Sequence, residues 1–409
     1  MAPLQLKSPP LSLATYTSRA LSTDRFGEEA DGLMQLGFGL FGEIGGLLAA
    51  SKKASRDTLL ESAALIAGEE IGDALWYLVV LAHHGKASPD QLGQAVMANL
   101  RSRLHEAPRS SKGAVSFEEL DGLVDHHHAK HVPKLEVQLR SIASSAGVIT
   151  QMTQAEFAKQ SSTKVAASLG DLLAQLTVVA RSFNLSLAAI ARENLEKIEA
   201  RWPTGKRVYA PLHDEVGYEE HEKLPRGNFR VDFFPRKVGG RDMVVQQWNG
   251  VNIGDPLTDN REPPDGYRYH DVFHLAYMAH LGWSPVLRAL LKLKRKSVSA
   301  IDENQDGARA LIIEEGIATW IFNHAKERGD NFANVQPGRL DFSLLKQVQS
   351  MVKGYEVDAC PPWQWELAIL DGFKVFRELS AAGQGSVIVN IEKHTIKFVK
   401  APKKKGAAA

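Results

Sequence analysis

A chain of 409 residues, 44% hydrophobic and 24% charged, is long enough for two or three separately cored domains and has the balance of a soluble globular protein. Lysine plus arginine number 49 against 48 acids, so no global field selects nucleic acid or an anionic membrane as a partner. The single cysteine, Cys360, excludes an internal disulfide framework, fits a reducing compartment and reads as a small packed side chain. No uninterrupted apolar run reaches the roughly 20 residues that span a bilayer. The opening MAPLQLKSPPLSLATY lacks the charged-then-apolar layout of a secretory signal. A cytoplasmic protein with no membrane partner is expected, and nucleic acid is disfavoured.

In chain order, residues 1–14 read as a flexible lead-in, because Pro9 and Pro10 block a helix. Residues 15–106 read as helical: in GLMQLGFGLFGEIGGLLAA and LLESAALIAGEEIGDALWYLVVLAHH apolar residues recur at three- and four-residue steps. APRSSKGAV (107–115) reads as a linker. A second helical stretch, counted within residues 107–205, stops at Trp202-Pro203. IGDALWYLVVLAHH (71–84) lines up with LGDLLAQLTVVARS (169–182), and VMANLRSRL (96–104) with ARENLEKIEAR (191–201), so a tandem duplication is expected. DHHHAKH (125–131) reads as a polar connector open to adventitious metal.

Beyond Pro203 the character changes. FRVDFF (229–234) and MVVQQW (243–248) read as a β-hairpin with a spacer longer than a tight turn. Helices are expected at Tyr269–His280, Pro285–Ser297 and Ala308–Lys326, and VIVNIEKHTIKFV (387–399) alternates like a second hairpin. Residues 401–409 read as a disordered tail. The expected fold class is mainly α: two helical-bundle units, then an α+β domain with β-hairpins over residues 215–400.

Chemistry concentrates first at three carboxylates. Glu70 and Asp73, three apart in EEIGD, share one helix face and have the apolar neighbours Ala74, Leu75, Leu78 and Val79. Glu43 lies in the equally apolar GLFGEIGGLLAA. A buried carboxylate costs several kcal/mol unless a cation or donor compensates it. Three of them on two helices make a hard-oxygen site suited to Mg²⁺ holding triphosphate oxygens. The alternative for Glu70 and Asp73 is a capping or surface role.

On these residues the stretch 15–205 resembles the MazG-like, all-α nucleoside-triphosphate pyrophosphohydrolases, which carry Glu-x-x-Glu on one helix and Glu-x-x-Asp on the next. The second pair stands here as Glu70-Ile71-Gly72-Asp73, followed by ALWYL. Of the first pair, Glu43-Ile44-Gly45 matches and Gly46 stands where the second glutamate belongs. The second repeat has Ser145-Ala146-Gly147-Val148 and Ser168-Leu169-Gly170-Asp171 in these places, leaving only Asp171. Its end, Asn194-Leu195-Glu196-Lys197 through Arg201-Trp202-Pro203, is similar to the family's phosphate-binding tail. The resemblance implies Mg²⁺ on Glu43, Glu70 and Asp73, with Lys53, Asn194, Lys197 and Arg201 binding substrate. The reaction would release monophosphate and pyrophosphate, and the catalytic residues would be the three acids. Lys197 and Arg201 also suit a solvated helix end. The Gly46 departure keeps open a domain that binds and senses nucleotide without turnover. A homodimer stays open too.

A second patch begins at GYRYHDVFHLAYMAHLGW (266–283). His270 and His274, four apart, face the same way on a helix, and Glu314 and Glu315 lie in the apolar ALIIEEGIATWIF. With one of these glutamates the histidines suit Zn²⁺, Mn²⁺ or Fe²⁺; satisfied core histidines are the alternative. His270-Asp271 is similar to the pair that names the HD phosphohydrolases, but no histidine lies between His221 and His270 to complete their set. KLKRKS (292–297) with Arg268 and Arg288 reads as a solvated helix face or a phosphate- or RNA-binding one. The acids and Arg309 of DENQDGARA (302–310) read as surface ion pairs. No family is named for residues 215–409.

Overall fold

The computed structural model describes residues 9–26, 31–56, 62–107, 113–131 and 133–401. Most of the expected lead-in (1–8), the middle of the linker (108–112) and the tail beyond 401 lie outside the described residues, as do the side chains of 127–131. The chain divides into two compact units, Met1–Thr204 and Gly205–Ala409.

The first unit is helical: α1 (Leu13–Leu21), α2 (Gly32–Arg56), α3 (Ala63–His84), α4 (Pro89–Arg103), α5 (Phe117–His131), α6 (Leu135–Thr150), α7 (Gln154–Ala158), α8 (Ser162–Ser182) and α9 (Leu187–Arg201). Serines 12, 62, 88, 161 and 186 each cap the helix that follows, the hydroxyl accepting an otherwise orphaned backbone N–H. Pro203 follows directly on the C-cap of α9, where it cannot extend the helix. Leu36, Leu40, Ile44 and Leu47 of α2 form a buried stripe against Ile71, Leu75 and Leu78 of α3.

Two expectations fail here. Residues 11–13 are not lead-in, since Leu11 and Leu13 are buried and the Leu13 N–H donates to the Val115 carbonyl at 2.9 Å. DHHHAKH is not a connector but the end of α5, whose buried Phe117, Leu120 and Val124 secure the helix that carries it. By length and composition alone, α2 over Gly32–Lys53 is apolar enough to cross a membrane. Gln35 and Glu43 interrupt its apolar run, and its Leu36, Leu40, Ile44 and Leu47 are buried in the core of the unit.

Within this unit the packing is reciprocal. Helix α3 packs on α9, and α8 packs on α4. Gly72 of α3 permits the first approach: a Cβ there would lie 3.2 Å from Asn194 Cβ. Gly170 of α8 permits the second, with Ala95 Cβ 2.6 Å from where its own Cβ would be. These glycines occupy matching places in the two segments aligned above.

The second unit holds one antiparallel sheet in the order β3-β2-β1-β4-β5, from β1 (Phe229–Val238), β2 (Arg241–Trp248), β3 (Val251–Asn252), β4 (Gly385–Asn390) and β5 (Thr395–Lys400). The first hairpin is tighter than expected. Gly239 and Gly240 both take positive φ, 57° and 81°, and close a two-residue turn, so the strands run through the supposed spacer and Val238 pairs with Arg241. The second hairpin is the expected one, β4 pairing β5 from Gly385↔Lys400 to Asn390↔Thr395.

Against the sheet lies α10 (Asp271–Leu281), all of whose residues are buried. There follow α11 (Pro285–Leu290), α12 (Ser299–Asn304), α13 (Ala308–Glu327), α14 (Phe342–Met351) and α15 (Pro362–Ala382). Helix α11 ends well short of Ser297, and Lys292 sits at φ 60°, so KLKRKS is not a helix face. Arg288 and Arg295 are 1% and 0% exposed rather than presented to phosphate. Arg288 Nη2 reaches Asp214 Oδ2 at 2.7 Å, while Arg295 Nη2 binds Asp306 Oδ1 and Glu356 Oε1, each at 2.7 Å. Asp306, expected in a surface pair, is fully buried in this network. Arg268 is bound to Asp259 at 2.9 Å.

Candidate functional site

Helices α2 and α3 bring the three acids of the first unit to one place. Glu43 and Glu70 are hydrogen-bonded, and a Cβ on Gly46 would fall 2.2 Å from Glu70 Oε2. The Glu70 carboxylate thus fills the space that the missing side chain at position 46 leaves. Asp73 is held from α9: Lys197 Nζ lies 2.6 Å from its Oδ2, and Asn194 Nδ2 donates to its Oδ1 at 3.0 Å. Tyr16 of α1 donates its hydroxyl to Asn194 Oδ1 at 2.7 Å and so fixes which end of the amide faces Asp73. Lys197 also stands 3.6 Å from Glu69.

Arg201, one turn beyond Lys197, stacks on Trp202 at 4.2 Å. Tyr77 borders the cluster over Gly39. Burial, then the charges of Glu43 and Asp73, raise its hydroxyl, and Arg201 opposes them. Lys53 stands apart: it is exposed and ten positions past Glu43 (53 minus 43), roughly 15 Å along the axis of α2. A cleft beside Lys197 and Asn194 is lined by Glu69, Gly72, Ile190 and Glu193.

The matching place in the second half is differently filled. Asp171 is paired with Arg103 of α4, and Gln175 Nε2 donates to Asp171 Oδ2 at 2.8 Å and to Ser145 Oγ at 2.9 Å. Neutral side chains stand where the first half has glutamates.

Crowding of like charges has a measurable consequence. Burial, the hydrogen bond with Glu70 and the charges of Asp73 and Glu70 raise Glu43 from 4.5 to about 8, Lys197 opposing them. Between those values the folded protein keeps a proton that the unfolded chain has released. Its contribution is therefore full below pH 4.5 and lost as pH rises through 8. In the absence of metal, Glu43→Gln should raise the melting temperature above pH 8 and match wild type near pH 4.5. The difference should be on the order of 1–2 kcal/mol, because partial exposure screens the repulsion. Melting curves of the two proteins in chelator decide it.

In the second unit, α10 and α13 build another cluster. His274 is fully buried, and its Nδ1 contacts Glu314 Oε1 at 2.8 Å. Glu314 also accepts from Ser284 Oγ at 2.7 Å and from the Val286 N–H at 2.8 Å. The expected ligand Glu314 is therefore turned inward and holds the histidine. Neighbours on a helix point about 100° apart, so Glu315 faces the other way, its Oε2 lying 3.5 Å from His274 Nε2 and 3.7 Å from His270 Nε2. His270 stacks flat on Tyr267, and its Nδ1 contacts the Tyr267 carbonyl at 2.9 Å. Asp271 Oδ1 is 3.1 Å from His270 Nε2, and Gln246 of β2 donates to Asp271 Oδ2. Burial disfavours a charged His274, but Glu314 and Glu315 outweigh it and raise the imidazole well above its ordinary value. Among the described residues, the group whose ligand atoms converge within 4.8 Å is His270, Asp271 and His274.

Residues 208–402 match the family model of the MazG C-terminal domain. This similarity falls on the half for which sequence reasoning named no family, and covers the sheet, α10 to α15 and the His270 cluster of the MazG C-terminal-like unit. No curated protein and no solved structure is significantly similar to the chain.

Sequence reasoning overlooked Tyr16, Tyr77 and Gln246, and it noted Asp271 without a role. Tyr77 carried a signal, standing one turn beyond Asp73 on the same helix face. Tyr16 and Gln246 reach their sites from elements distant in sequence and carried none.

Proposed function

We propose that the helical unit is a Mg²⁺-dependent nucleoside-triphosphate pyrophosphohydrolase, cleaving the α–β phosphoanhydride to monophosphate and pyrophosphate. The observation that carries this reading is the meeting of Glu43, Glu70 and Asp73 with Lys197 and Asn194. The MazG C-terminal-like match of residues 208–402 supports it from outside the site. An all-oxygen donor set, crowded enough to retain a proton on Glu43, suits a hard divalent cation. Glu43, Glu70 and Asp73 would hold Mg²⁺, which when bound neutralises phosphate charge and polarises the attacking water.

The chain's own residues then bind and orient. Lys197 exchanges Asp73 for a phosphate oxygen, and Arg201, one turn on, is a second cation for the triphosphate. Asn194, locked by Tyr16, keeps Asp73 in its rotamer while Lys197 moves. The recurrence of helix order and the reciprocal packing of α3 on α9 and α8 on α4 support descent of this unit from a tandem duplication. On that reading one chain supplies both halves of the site.

The test is pyrophosphate release from ribo- and deoxyribonucleoside triphosphates, with Mg²⁺ or with chelator. Mg²⁺-dependent release from some of them is expected, and its absence from all would refute the enzyme. A second reading, a nucleotide-sensing unit, is favoured by Gly46 and by the grip of Lys197 on Asp73. It requires triphosphate binding without release, and Gly46→Glu, once Glu70 shifts aside, would restore turnover.

A further inference from the structure

We propose that His270, Asp271, His274 and Glu315 bind one divalent first-row transition-metal ion, through Nε2 of each histidine and a carboxylate oxygen of each acid. Both imidazoles are held from behind. Nδ1 of His270 meets the Tyr267 carbonyl and Nδ1 of His274 meets Glu314, so both Nδ1 atoms donate backwards and both Nε2 atoms are turned to Glu315. Glu314 is pinned in turn by Ser284 and the Val286 N–H, and Gln246 pins Asp271. This is a prebuilt outer layer around a ligand set.

What the inner atoms face is the second observation. His274 Nε2 is wholly buried and has no hydrogen-bond partner, although it lies 3.5 Å from Glu315 Oε2. His270 Nε2 stands 3.1 Å from Asp271 Oδ1. Each Nε2 therefore faces a carboxylate oxygen, an arrangement made favourable by a cation between them, a proton on the ring or a metal ion that displaces it. Donors about 2.1 Å from a common ion stand about 3–4 Å apart; His270 Nε2 lies 3.1 Å from Asp271 Oδ1 and 3.7 Å from Glu315 Oε2, and Glu315 Oε2 lies 3.5 Å from His274 Nε2. Two imidazoles beside two carboxylates favour Zn²⁺, Fe²⁺ or Mn²⁺ over Mg²⁺, which prefers oxygen and retained water. The Glu315 side chain is 43% exposed, while His274 is closed off. Entry and any vacant coordination position thus lie on the Glu315 side. This binding does not rest on the function proposed for the helical unit.

The test uses the full chain, stripped with chelator and titrated with Zn²⁺ and with Co²⁺ as a spectroscopic probe, in excess Mg²⁺. One equivalent of either ion is expected, with visible Co²⁺ absorption. His270→Gln and Glu315→Gln, at the edge of the cluster, should each weaken binding on the order of 100-fold without changing the far-ultraviolet circular dichroism. Glu314→Gln, at a positioning residue, should weaken it about 10-fold. Asp73→Ala should leave it unchanged. Failure of the wild type to bind either ion would overturn the proposal. So would binding that survives both His270→Gln and Glu315→Gln, since the metal would then sit elsewhere on the chain.

Discussion

Asp73→Ala is expected to lower pyrophosphate release on the order of 10²–10³-fold or more, with the fold unchanged. Removing one preorganised charged group from a phosphoryl-transfer site has this scale of effect. Asp73 has two connections: it shares the acid cluster with Glu43 and Glu70, and it takes Lys197 and Asn194 from α9. The substitution removes a ligand and the contact of Lys197 with Asp73 together. Triphosphate affinity should therefore fall less than turnover, because Lys197, which also stands beside Glu69, keeps its positive charge at the site. Steady-state kinetics with a separate binding titration resolve the two. A variant that turns over as wild type does would remove the helical unit from the chemistry.

Arg295→Met should destabilise the second unit by about 3–5 kcal/mol, the usual cost of leaving buried charges without their partner. Arg295 is fully buried, and Asp306 and Glu356 would both lose their guanidinium. Hydrogen bonds to these acids raise Arg295 above its ordinary value against the effect of burial. Burial and the neighbouring Arg295 lower Arg288, with Asp214 and Asp306 opposing. The network thus leans on its acids. Chemical denaturation of the full chain should show an early transition in Arg295→Met, while pyrophosphate release, which the proposed function assigns to the helical unit, persists. A single transition at the wild-type midpoint would mean that the ions contribute nothing.

What the sequence disclosed follows from the range of the interactions. The helices of the first unit were legible because apolar periodicity and serine caps act within a few residues. The acids on α2 and α3 stood out for the same reason, as charges inside apolar turns. Lys53 came from the resemblance, whereas helical rise sets it about 15 Å along α2 from Glu43. Arg288 and Arg295 looked solvated because composition cannot see Asp214, Asp306 and Glu356 arriving from other segments. Glu314 and Glu315 could not be told apart until the rotation of α13 was known. Helices α14 and α15 were simply not read, although Trp365, Ile369, Phe373 and Phe376 of α15 repeat at three- and four-residue steps.

Lys197 and Asp73 lie 124 positions apart. A ribosome therefore makes the three acids long before it makes the ammonium that meets one of them. For that interval the acids have no lysine from α9, and a contact of such long reach carries a loop-closure cost that local helical contacts do not. The first half of the helical unit waits on its second half, and a message cut short between them would leave Asp73 without Lys197 and Asn194.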